Sequence, residues 1–167
     1  MAEKHKEAQE KIKQLGERLG YVAFTEAIVV SGRTDVKVDM VWFDSRYKNL
    51  YGDNEPNLQE KLCLVEVAFE VENFPDYTEW HNIQGCIGRI EATGANLGVI
   101  ALPSKGEIQQ RIQQNPPPGR IWGKSAEDDI ANVREWISRR HQRPRIIVLT
   151  LDEIETLLNK VQEQSGN

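Results

Sequence analysis

Three acidic residues sit in runs that otherwise read as buried strand. Asp39 interrupts KVDMVWF, and Glu70 and Glu72 interrupt VAFEVE. Alternation along a strand puts Glu70 and Glu72 on the same face of a sheet. A carboxylate buried without compensation is costly, so acids in such places are paired or hold a metal. Carboxylate oxygens are natural ligands for Mg2+ or Mn2+. Two acids from one strand and one from its neighbour supply half a coordination shell, which waters and a phosphate oxygen can complete. A divalent ion held this way polarises a phosphoryl group and lowers the pKa of an attacking water, the chemistry of phosphodiester hydrolysis. The plain alternative is a pair of edge strands whose acids face solvent.

The elements that must position these acids follow from periodicity. Residues 3–19 carry Ala8, Ile12, Leu15 and Leu19 as an apolar stripe and read as a helix that Gly20 ends. YVAFTEAIVV reads as a strand, SGRTD as its hairpin turn, and VKVDMVWF as the second strand. Asp44 to Glu60 shows no useful period and reads as a loop. KLCLVEVAFEVE supplies a third strand whose apolar run suits the centre of a sheet. Four helix starts follow, at Asp76/Glu79, Ser104/Glu107, Ser125/Asp128 and Thr150/Glu153, each with the spacing of a capping arrangement. The apolar faces behind them are Trp80, Ile83, Ile87 and Ile90, then Ile130, Val133 and Ile137, then Ile154, Leu157 and Val161. LGVIAL and RIIVLT are two further strands. The order is helix, three strands, helix, strand, two helices, strand, helix. It predicts a single α/β domain over residues 1–167 with a mixed sheet.

Composition narrows the function classes. With 26 acidic residues against 21 basic, the net charge of −5 gives no general attraction to nucleic acid or anionic membranes. The two cysteines, Cys63 and Cys86, form no CxxC pair, and no HExxH motif is present. Buried free thiols in a reducing compartment are the expectation. The charged start MAEKHKEAQEKIKQ lacks the apolar core of an export signal, and no run is long enough to span a bilayer. A cytoplasmic location without membrane contact is expected. No P-loop, dinucleotide fingerprint or locally arranged Ser-His-Asp set occurs.

The run VDMVWFD, a loop, VAFEVE, and a helix containing IQGCIGRIEA resemble the PD-(D/E)xK, or restriction-endonuclease-like, nuclease superfamily. The resemblance is clearest over residues 36–91. It implies a restriction-endonuclease-like three-layer sandwich, with a central mixed β-sheet flanked by helices, and metal-dependent cleavage of DNA. Asp39 would begin the active-site motif, Glu70 would be its acid, and Glu72 would stand where the family usually has Lys. All three would be catalytic and would ligate Mg2+ or Mn2+. Gln84 matches a polar residue that assists the site in parts of the family. Val38 stands where the family often has Pro, and the Glu-x-Glu variant removes a cation from the motif. An inactive module on the same fold that binds protein or nucleic acid is therefore the alternative. A homodimer placing two sites on two strands, and an additional protein subunit, are expectations of the same kind.

Other residues extend this expectation. Glu66 shares the parity of Glu70 and Glu72, and Glu10, Glu17 and Glu26 are candidates for an additional acid. Arg89 is a candidate for meeting a phosphate or pairing with an acid, and His81 lies near the start of the same helix. From Arg134 to Arg145 five arginines face only Glu135, so Arg139, Arg140 and Arg143 are candidate phosphate contacts. Basic residues closing a helix also suit its dipole.

Overall fold

The structure, a computed structural model, describes residues 2–30, 36–47, 65–72, 80–114, 125–140 and 145–165. Helix α1 (Ala2–Arg18) leads into β1 (Tyr21–Val30) and β2 (Val36–Asp44). Strand β3 (Val65–Val71) precedes α2 (Trp80–Ala92) and β4 (Leu97–Leu102). Then come α3 (Lys105–Gln114), α4 (Ala126–Arg140), β5 (Arg145–Thr150) and α5 (Leu151–Ser165). Among the described residues, the order of α-helices and strands is the one the periodicity predicts, with a short 3-10 turn at Ser45–Tyr47 in the segment read as a loop. The SGRTD turn and the Asp76 helix start lie outside the described residues, as does most of the Asp44–Glu60 loop.

The five strands lie in the order β1-β2-β3-β4-β5. β1, β2 and β3 form an antiparallel meander, whereas β3, β4 and β5 are parallel. The sheet is thus mixed, and β3 sits at its centre between an antiparallel and a parallel neighbour.

Helices cover both faces. On one, Ala8, Ile12 and Leu15 of α1 and Ile154 and Leu158 of α5 pack against Met40, Trp42, Phe69 and Val99. On the other, Ile83, Ile87 and Ile90 of α2, Ile108 of α3 and Ile130, Val133 and Ile137 of α4 pack against Val41, Phe43, Ala68 and Ile100. Each fully buried aliphatic side chain contributes about 2 kcal/mol of transfer free energy. The α5 stripe runs through Leu158 rather than Leu157, which is 41% exposed. Ile154, Leu158 and Val161 keep the i, i+4, i+7 spacing that holds one helix face. Leu19 falls just past the end of α1 and is exposed.

Three helix starts are capped as their spacing predicts. The Ser104 hydroxyl accepts from Glu107 N–H at 3.2 Å while Glu107 reaches back to Ser104 N–H. Thr150 and Glu153 form the same reciprocal pair, and Ser125 Oγ accepts from Asp128 N–H. Each such cap contributes on the order of 1 kcal/mol. Gly20 closes α1 with a φ of 88°, a left-handed conformation natural to glycine. No helix among the described residues is long and apolar enough to cross a membrane.

Candidate metal centre

The face alternation of β1 and β2 slips at one level. In β2, Met40 and Trp42 face α1 while Val41 and Phe43 face α2, yet Val38 also belongs to the α2 side. In β1, Tyr21 and Ala23 face α1, whereas Phe24 and Ala27 both face α2. The slips fall at Asp39 and at Glu26. The pairs Thr25–Met40 and Ala27–Val38 flank them and place these two acids opposite each other. Glu26 takes a φ of 53°, a left-handed value uncommon outside glycine. Because both strands slip together, the ladder resumes in the same register at Ala27–Val38 and Ile28–Lys37, and it shifts only farther on, between Ile28 and Val30.

The slip delivers both acids to α1. Asp39 Oδ1 lies 3.2 Å from His5 Nε2. The Gln9 side-chain amide donates to Glu26 Oε1 at 2.9 Å and reaches the Asp39 carbonyl at 3.4 Å. His5 and Gln9 are four apart on the helix and so share its sheet-facing side with Ala8 and Ile12. His5, Glu26 and Asp39 each offer a ligand atom, and these atoms lie within 4.8 Å of one another. This His/Glu/Asp cluster is able to coordinate a metal ion. A pocket of about 540 Å³ lined by His5, Gln9, Glu10 and Glu26 opens beside it.

Asp39 is also tied to β3. The β2–β3 ladder stops at Met40–Phe69, and one step further Val71 N–H donates to Asp39 Oδ2 at 2.7 Å. A side chain thereby replaces the backbone partner that the parting strands no longer provide. Burial pushes the Asp39 carboxyl above its usual range, against the Val71 amide and His5, which favour the charged form.

Glu70 and Glu72 turn to the opposite helix, on one face as their parity predicts. Arg89 Nη2 on α2 donates to Glu70 Oε2 at 2.6 Å. The Cys86 thiol, one helical turn earlier, donates to Glu72 Oε2 at 3.2 Å. Glu70 is 2% exposed; its other oxygen, Oε1, makes no hydrogen bond of normal geometry among the described residues, while the Asp39 backbone N–H beside the carboxyl favours its charged form. Burial pushes Glu70 up to about 7, with the Asp39 charge adding to the rise and Arg89 opposing it. The Arg89 guanidinium is held more firmly protonated by Glu70, and burial beside two acids raises the Cys86 thiol. Asp39 therefore stands between two polar sets, His5–Glu26 on the α1 side and Glu70–Arg89–Cys86–Glu72 on the α2 side.

The remaining predicted residues disperse. Gln84 is exposed on α2. Glu66 is half-buried and accepts from Asn96 Nδ2 at 2.9 Å, a surface role. Glu10 and Glu17 lie exposed on α1, Glu10 accepting from Gln14. Arg134 is committed to the Val148 carbonyl and to Glu153, and Arg139 pairs with Glu135 one turn away. Arg140 is the last residue of α4, and Arg143 lies outside the described residues. His5 and Gln9 escape a sequence reading because polar residues on a charged helix pass for a solvated face. Their signal is the spacing, since positions 5, 8, 9 and 12 continue the buried stripe.

No family model, curated protein or solved structure matches the chain.

Proposed function

We propose that this chain is a metal-dependent phosphodiesterase acting on DNA, a restriction-endonuclease-like nuclease with Glu-x-Glu in its second motif. The observation that carries the reading is the pairing of Asp39 and Glu70 at the level where β2 and β3 part. Asp39 is anchored by the Val71 amide, and Glu70 keeps a buried oxygen, Oε1, that makes no hydrogen bond of normal geometry among the described residues. A buried acceptor without a partner calls for an explanation, and a cation beside Asp39 supplies one. The helix, three-strand meander, helix and parallel strand that frame the site agree with the resemblance.

Bound Mg2+ or Mn2+ would polarise the phosphoryl group and acidify an attacking water. Asp39 and Glu70 would be its ligands. Arg89 is partly exposed and supplies the positive charge that the motif's missing Lys would have carried. Glu72, held by Cys86, would be the third ligand or would position water. Gln84 remains a candidate for assisting the site, Arg140 and Arg143 for contact with DNA, and a homodimer would address two strands.

The test is cleavage of single-stranded, duplex and branched DNA with Mg2+ or Mn2+, comparing wild type with Glu70→Ala. Metal-dependent cutting lost in the variant is the expected result. Absence of cutting by folded wild type under both metals overturns it. A second reading, an inactive module on the same fold that binds protein or nucleic acid, is favoured by one observation. Glu70 and Glu72 already have protein partners in Arg89 and Cys86.

A further inference from the structure

We infer that His5, Glu26 and Asp39 form an ion position of their own on the α1 side of Asp39, one that selects a first-row transition ion such as Mn2+ over Mg2+. This deepens the metal-dependent reading, but it concerns a different ligand set from Asp39 with Glu70.

The geometry supports a built site rather than a chance meeting of surface acids. The three ligand atoms lie within 4.8 Å of one another and come from three separate elements, α1, β1 and β2. Like charges directly opposite on paired strands destabilise a sheet. Here the pairs on either side place Glu26 opposite Asp39 across the ladder, and the Glu26 charge raises the cost of ionising Asp39. An ion between them removes that repulsion. The flanking groups fix the ligands in place. Gln9, 7% exposed, holds Glu26, and the Val71 amide holds Asp39.

One observation outside the cluster points the same way. The adjoining pocket of about 540 Å³ gives solvent and a ligand access to His5 and Glu26.

The donor set decides the ion. Mg2+ dehydrates reluctantly and prefers an all-oxygen octahedron, whereas an imidazole nitrogen beside carboxylates suits transition ions. A neutral His5 is the ligand form. Replacing the imidazole by a methyl group therefore removes the feature that discriminates against Mg2+.

The experiment is an electron paramagnetic resonance titration of the full chain with Mn2+, read without DNA. Wild type is expected to bind one Mn2+ and to show nitrogen coupling from 15N-labelled histidine. His5→Ala should lose that coupling, and His5→Ala and Glu26→Gln should each weaken binding by about tenfold or more. Glu26→Gln keeps an amide oxygen for Gln9, so it separates ligation from folding. Competition with Mg2+ should displace little Mn2+ from wild type. Binding indifferent to both variants, no nitrogen coupling, or Mg2+ competing as an equal would each overturn the inference. Nitrogen-coupled Mn2+ with no DNA cleavage sustains the inference and removes the nuclease reading. Cleavage that needs Glu70 while Mn2+ binding ignores His5 does the reverse.

Discussion

Arg89 satisfies one oxygen of Glu70 at 2.6 Å and leaves the other, Oε1, buried with no hydrogen bond of normal geometry among the described residues. The ion pair is therefore lopsided, and burial wins over the hydrogen bond in setting the acid's pKa. Glu70 is raised from 4.5 to about 7. Between those values the folded chain holds a proton that the unfolded chain has released. Stability from this group is thus full below about pH 4.5 and is lost as pH rises toward about 7. Glu70→Gln imitates the protonated acid at every pH. It should match wild type near pH 5 and exceed it near pH 8 by up to about 3 kcal/mol. Urea unfolding at both pH values reads the difference. A gap that is constant with pH would show that Glu70 ionises as an ordinary carboxylate.

Removing Arg89 should be worse than removing Glu70. Arg89→Met leaves a buried carboxylate with neither a charge partner nor a hydrogen-bond donor on Oε2. Breaking a buried pair from one side costs about 3–5 kcal/mol, and the partial exposure of Arg89 places this case toward the lower end. Adding Glu70→Gln to Arg89→Met should recover most of the loss. A double-mutant cycle at neutral pH checks this. Additive losses would mean that the two side chains do not stabilise each other.

Gly16 sits in the last turn of α1, where helix propensity favours Ala by up to about 1 kcal/mol. The packing decides otherwise. A Cβ at Gly16 would lie 2.6 Å from the Trp42 ring. Trp42 cannot retreat, because Tyr21 stacks on it at 5.5 Å and Phe69 packs at 4.4 Å. Gly16→Ala should destabilise the fold by about 2 kcal/mol and alter the near-ultraviolet signal of Trp42. A rise in melting temperature would show that α1 shifts freely on the sheet.

That contact illustrates what could be read in advance and what could not. The strands, their order along the chain and three of the helix starts were legible because period-two runs and Ser/Thr-x-x-Glu or Ser-x-x-Asp spacings are local signals. Glu70 and Glu72 sharing a face followed from alternation alone. The convergence of Asp39 with His5 and Glu26 did not, since the alternation rule assumes a regular strand and both strands slip there. A left-handed residue such as Glu26 has no sequence signal when it is not glycine. Arg134, which looked like part of a phosphate-binding run, is occupied by groups on β5 and α5. Such long-range partners are set by tertiary packing, and charge patterning along the chain cannot show them.

Arg134 carries the last prediction. Its Nε and Nη2 both donate to the Val148 carbonyl, at 3.1 and 2.9 Å, and Nη2 also reaches both oxygens of Glu153, at 2.9 and 2.7 Å. Glu153 in turn caps Thr150 N–H at 2.8 Å. One guanidinium therefore ties the end of β5 to the first turn of α5. Charge-assisted bonds of this kind make Arg134→Ala costly by about 1–2 kcal/mol. Arg134→Lys should recover less than half of that, because a single ammonium cannot reproduce the planar fork that serves carbonyl and carboxylate together. Urea unfolding of the two variants measures the cost. Full rescue by Lys would reduce the clamp to a simple charge attraction. Stability unchanged in Arg134→Ala would show that these bonds do not hold β5 and α5 together.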